Sequence, residues 1–188
     1  MILTPDNEYA AVLDACVLIP MPLCDTLLRL AEEPAMYRPL WSACILKEAV
    51  NGLKKLGYTA EQQNKRIKAM QAAFPEAVVD VPHDMCGGLT GIPDEHDRHV
   101  LAAAILGPAH VIVTQNKKHF PTEYLDRFHI LRHTPDEFLV HQFHLNPEAI
   151  LEKLDAQASA RHEERPAIIK RLKVMTPEFC TLIEQWDT

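Results

Sequence analysis

The stretch VLDACVLIP, residues 12–20, changes character at its third residue. Two apolar residues run into Asp14, and apolar residues resume at once after it, as far as Pro20. A buried strand that ends on an acid and passes directly into a helix has this form, because a carboxylate within the strand would be costly to desolvate. Outward from this point the same alternation repeats. Short apolar runs predict strands over 11–13, 37–41, 77–81, 110–113 and 128–131, with the last at a sheet edge and 77–81 buried. Between them, helical periodicity covers 17–31, entered through Pro20 and Pro22, then Ser42 to Leu56 and Thr59 to about Phe74. A further helix starts in PDEHDRHVLAAAI, residues 93–105, and stops at Gly107-Pro108. Strands alternating with helices predict an α/β fold, a central parallel sheet flanked by helices.

The pattern shifts beyond the last strand. Thr134-Pro135-Asp136-Glu137 is a capping box with proline at the first helical position, and Asn146-Pro147 and Thr176-Pro177 repeat the cap-then-proline signal. Ile150, Leu151, Leu154 and Ala158 form one apolar stripe, and Phe179, Leu182, Ile183 and Trp186 another. These signs divide the chain into a main domain, 1–145, and a small C-terminal helical appendage, 146–188.

Five scattered cysteines without a CxxC pair argue against a disulfide framework and a structural zinc site. No apolar run is long enough to span a bilayer, and MILTPDNEYA lacks the basic and apolar regions of a secretory signal. A cytoplasmic protein is expected. The net charge of −7 does not advertise a nucleic-acid binder. Lys47, Lys54, Lys55, Lys65, Arg66 and Lys68 nevertheless cluster in one segment, and Arg161, Arg165, Lys170, Arg171 and Lys173 in another. Taken singly, each is read as part of a solvated helix face.

In an open parallel sheet, ligands gather outside the carboxyl ends of the strands. Asp14 closes the first strand, and Thr114-Gln115-Asn116 follows the fourth. Asp94 and Asp97 open the helix before the fourth strand, three residues apart and so on one side of its first turn. Glu48 lies within the second helix, at the margin of the stripe formed by Ile45, Ala49, Leu53 and Leu56. Each has a plainer reading: a helix cap for Asp14 and for one of Asp94 and Asp97, a surface residue for Glu48, an Asx turn for Asn116. Together they bring acids from three segments to one sheet edge. Several carboxylates share a cleft in ionised form only when a cation compensates them, and an all-oxygen set suits Mg2+ or Mn2+ better than zinc.

With these residues placed, the chain resembles the PIN-domain ribonucleases of the VapC toxin type. The resemblance lies in VLDACVLIP, WSACILKEAVNGL, PDEHDRHVLAAAI and VIVTQNKKHFP, in that order, over roughly residues 10–135. It implies a PIN-like three-layer fold, divalent-metal-dependent cleavage of RNA, a cognate antitoxin as partner and a homodimer. It makes Asp14, Glu48 and Asp97 the principal metal-coordinating acids, Asp94 a second acid on the same turn, and Asn116 the fourth position. Thr114 would hydrogen-bond the first aspartate or orient water. Many family members carry aspartate where this chain has Asn116, which leaves a second metal open. Between Asp94 and Asp97, the metal-facing role is expected of Asp97, with Asp94 supporting it or capping the helix. The C-terminal helices resemble an extension that would contact the antitoxin or a second subunit.

Rival readings fare less well. A haloacid-dehalogenase-type phosphatase needs an acid two residues after Asp14, where Cys16 stands. There is no GxGxxG or GxxxxGK[ST] for a nucleotide loop, and His96 and His99 lack an HExxH arrangement. The serious alternative is a catalytically inactive PIN-like module that binds protein or RNA. Retention of three mutually repelling acids speaks against it.

Overall fold

The computed structural model describes residues 9–186, so the first eight residues and the last two of the expected domain bounds lie outside it. Five parallel strands form one sheet: β1 (Ala10–Leu13), β2 (Arg38–Ser42), β3 (Val78–Val79), β4 (Val111–Val113) and β5 (Leu131–His133), in the order β3-β2-β1-β4-β5. From β1 the chain winds outward to one side through β2 and β3, then crosses back to β4 on the other side. The strand order therefore reverses between β1 and β4, where an open sheet leaves a crevice at its carboxyl edge. Every residue of β1 and β4 is buried. Successive side chains point to opposite faces of a strand, so both faces of the sheet are covered by helices.

The flanking helices are α1 (Ala15–Leu18), α2 (Leu23–Ala31), α3 (Ala43–Lys55), α4 (Ala60–Ala73), α5 (Arg98–Leu106) and α6 (Thr122–Leu125). Ser42 caps α3 by accepting from the Ile45 N–H at 3.2 Å. Thr59 and Gln62 form a capping box on α4. The expected helix over 17–31 is instead split into α1 and α2. Pro20 and Pro22 lack the N–H groups that would continue the ladder, and the Arg66 guanidinium takes up the carbonyls left at the break, Leu18 at 2.6 Å and Ile19 at 3.0 Å. The expected buried strand 77–81 shortens to β3, with Val78 43% exposed. It is the outermost strand on its side, and one flank of an edge stays open. The last strand forms at the expected edge but starts at Leu131.

After β5 come α7 (Pro135–Leu145), α8 (Pro147–Ser159), α9 (Arg165–Leu172) and α10 (Pro177–Trp186). Thr134 and Glu137 make the predicted capping box on α7, and Asn146 accepts from the Ala149 N–H at 3.1 Å to start α8. Ile150, Leu154, Phe179 and Ile183 are buried in the same continuous core as the sheet. A polar joint secures α8 to α2: buried Gln157 accepts from the Thr26 hydroxyl at 2.8 Å and donates to the Pro22 carbonyl at 3.1 Å. The Thr176 hydroxyl donates back to the Leu172 carbonyl, and the first N–H groups of α10 that it would cap go elsewhere. Asp136, on α7, caps them from outside, accepting from Phe179 N at 2.8 Å and Glu178 N at 3.1 Å. No helix among the described residues is long and apolar enough to cross a membrane. Asp136→Ala is expected to lower stability by about 1 kcal/mol, while Asp136→Asn keeps most of it; urea denaturation of the two variants measures the difference.

Candidate metal centre

The parallel register pairs Leu13 with Val113, and the Asp14 N–H continues it to the Val113 carbonyl at 3.1 Å. Asp14 and Thr114 thus leave their strands side by side at the reversal point. Asp14 is only 4% exposed. Its Oδ2 accepts from the Thr114 hydroxyl at 2.6 Å and from the Cys16 thiol at 3.1 Å. The Thr114 oxygen in turn accepts from the Asn116 backbone N–H at 3.0 Å. The turn after β4 therefore orients Thr114, and Thr114 orients Asp14. Burial, with the Asp14 charge added, pushes the Cys16 thiol up to about 12. It stays protonated at neutral pH and serves as a donor, not as a nucleophile.

The second acid pair sits on a 3-10 turn, Glu95–Asp97, that leads into α5. Residues three apart eclipse in a 3-10 turn, so Asp94 and Asp97 come to one side. Asp94 does two things. Its Oδ1 caps the turn through the His96 N–H at 3.0 Å, while its Oδ2 lies 3.9 Å from His119 Nδ1. Asp97 Oδ2 is 2.5 Å from the same Nδ1. Burial raises the Asp97 carboxyl above its usual range; the His119 hydrogen bond opposes this, and the negative charges of Asp14 and Asp94 add to it. Asp14 and Asp97, brought from opposite ends of the chain's first hundred residues, are thus near enough for the charge of one to act on the other.

One ligand atom from each of Asp94, Asp97 and His119 lies within 4.8 Å of the other two. Among the described residues, no lysine or arginine forms an ion pair with Asp14, Asp94 or Asp97. This donor set fits a hard divalent cation: it is mostly carboxylate, partly buried, and short of positive charge from the chain itself.

Glu48 takes a different neighbour. Its Oε1 is 3.0 Å from His99 Nε2, on the first turn of α5, and its side chain remains 40% exposed. His99 lies within α5 and turns toward Glu48 of α3, whereas Asp97, on the 3-10 turn before the helix, meets His119 from the turn after β4. Glu48 lines a groove of about 700 Å³ with Lys47, Asn51, Asp84, His96 and Arg98. Asn116 contributes its backbone N–H to Thr114. His119 is the residue that sequence reasoning passed over, and His99, weighed there only as a zinc ligand, partners Glu48. His119 stands in the quoted stretch VIVTQNKKHFP, but nothing in its spacing links it to Asp97, 22 residues earlier.

Of the basic residues, Lys47 reaches the groove and Lys54, Lys55, Lys65 and Lys68 are exposed, whereas Arg66 is spent on the α1 carbonyls. Near the C-terminus, Arg165 pairs with Asp155, Arg171 with Glu163 and Lys173 with Glu184, so much of that cluster is locally neutralised.

A family model described as PIN domain matches residues 10–118. A Mycobacterium tuberculosis protein named "Putative ribonuclease VapC50" is 53% identical to this chain over 53 residues, which are 28% of this chain and 31% of that protein. That likeness spans less than a third of either. No solved structure matches the chain significantly. The family match takes in four of the five strands and all four acids discussed above, over more than half of the sequence, and the chain belongs to the PIN-domain family.

Proposed function

We propose that this protein is a metal-dependent endoribonuclease that hydrolyses RNA phosphodiester bonds, acting in the cytoplasm as the toxin of a toxin–antitoxin pair. The observation that carries the reading is the cluster of Asp94, Asp97 and His119, close enough to buried Asp14 for its charge to act on Asp97, with no lysine or arginine paired to the three acids. Family membership and the partial likeness to a protein named as a VapC ribonuclease support it.

In this reading Asp14, Asp94 and Asp97 hold Mg2+ or Mn2+, Glu48 faces the approach to it, and Asn116 occupies the fourth family position. A divalent ion bound there supplies a Lewis acid, lowering the pKa of coordinated water and offsetting charge on the phosphodiester. The chain's own residues do the rest. Thr114 and Cys16 donate to one oxygen of Asp14 and keep the carboxylate in a single orientation. The groove beside Glu48 is mixed in charge, with Glu48, Asp84 and Glu95 on its wall and Arg98 paired to Glu95, so Lys47 is the cation it offers to a phosphate backbone. Residues 1–145 are the nuclease unit and 146–188 an extension that contacts the antitoxin or a second copy of the chain.

Asp14→Asn and Asp97→Asn should each cut Mn2+-dependent cleavage of total RNA by about a hundredfold or more, the scale of losing a group that acts on transition-state charge. Full activity in Asp97→Asn would refute the assignment. Thr114→Val, which removes only the orienting hydroxyl, should weaken metal affinity by about tenfold or more, read by calorimetric titration. The inactive-module alternative is separated by thermal melting: Mn2+ should raise the melting temperature of the wild type. A curve that does not move with Mn2+ or Mg2+ would favour a PIN-like binding module.

A further inference from the structure

The short turn Lys117–His119 follows the reversal point and is held from β5. Arg132 donates from one Nη1 to two carbonyls that bracket the turn, Lys117 at 2.5 Å and Phe120 at 2.7 Å. The Lys117 ammonium is drawn away to Glu137 Oε1 at 2.5 Å, and Lys118 is exposed. The side chain that this turn offers to Asp94 and Asp97 is therefore an imidazole rather than an ammonium. The two are not equivalent. An ammonium has only N–H donors and can do no more than neutralise, whereas a neutral imidazole has a nitrogen lone pair and can ligate a metal. Nδ1 is the atom in place, 3.9 Å from the Asp94 oxygen and 2.5 Å from the Asp97 oxygen, where it shares a proton that a bound metal ion would displace.

We infer that His119 is a nitrogen ligand of the metal centre and biases it toward Mn2+ over Mg2+. This rests on the metal-centre reading above and adds a residue and a selectivity to it. Mg2+ demands a near-ideal octahedron of oxygens and gives up its waters reluctantly. Imidazole gains on carboxylate along the first-row transition metals, and Mn2+ accepts both kinds of donor. The clamp from Arg132 makes the nitrogen a fixed part of the donor set, since the turn cannot swing away without breaking both of its hydrogen bonds. His99, the histidine on the neighbouring helix turn, is held by Glu48.

The test is pulsed electron paramagnetic resonance on the full-length protein loaded with Mn2+ alone. Modulation from a coordinated 14N nucleus is expected in the wild type and should vanish in His119→Asp, with His119→Ala as the second variant if the first does not fold. Separate calorimetric titrations with Mn2+ and Mg2+ should show the preference for Mn2+ falling by about tenfold or more in His119→Asp. Mn2+ that binds without nitrogen modulation, or modulation that persists in both variants, overturns the role of His119 and leaves the metal centre standing. If Mn2+ does not bind the wild type at all, both fall.

Discussion

The parallel pairing of β1 with β4, in a register that sets Asp14 beside Thr114, is the constraint on which the rest of the structure depends. Both strands are wholly buried, so the carboxylate at the end of β1 stands at the mouth of the core with almost no contact with water. A group in that position has to be met by donors or by a cation. The chain supplies a hydroxyl and a thiol, both neutral, and both directed at the same oxygen. They orient the charge without cancelling it. Burial and charge then also explain Cys16, whose protonated state follows from the acid it serves.

Around this fixed acid the other groups arrive through local backbone geometry. The 3-10 turn ahead of α5 eclipses Asp94 and Asp97 and brings them to His119, while the next turn of the helix directs His99 away to Glu48. One short segment therefore serves two neighbourhoods, the acid cluster on one side and a groove of mixed charge on the other. Arg132 and Glu137, from β5 and α7, brace the loop that brings His119 up to the acids. β5, outside the reversal point, acts at a distance by holding that loop in place. The C-terminal helices are tied in through Gln157 and Asp136, both of which satisfy backbone groups of another helix.

The disagreements between expected and observed elements have local causes. Two prolines split one long amphipathic pattern into α1 and α2, and an arginine 47 residues away repairs the break. Three consecutive apolar residues, Ala77 to Val79, resemble a core strand in any sequence, yet here they end at an open sheet edge. Leu56 belongs to the apolar stripe of its helix by periodicity but falls at the helix end and is 64% exposed. Each case turns on the neighbour that covers a side chain, and periodicity carries no such information.

The sequence by itself determined the alternation of strands and helices, the helix caps at Ser42, Thr59, Thr134 and Asn146, and the placing of Asp14, Asp94, Asp97 and Thr114 at strand and helix ends. These depend on hydrogen bonds and burial within a few residues, which local pattern records. Only the tertiary structure decided that Glu48 pairs with His99, that His119 joins the two aspartates, and that Asp136 caps α10 from another helix. Those contacts are made between side chains far apart along the chain, and their geometry exists only once the sheet order and the helix rotations have been set by packing.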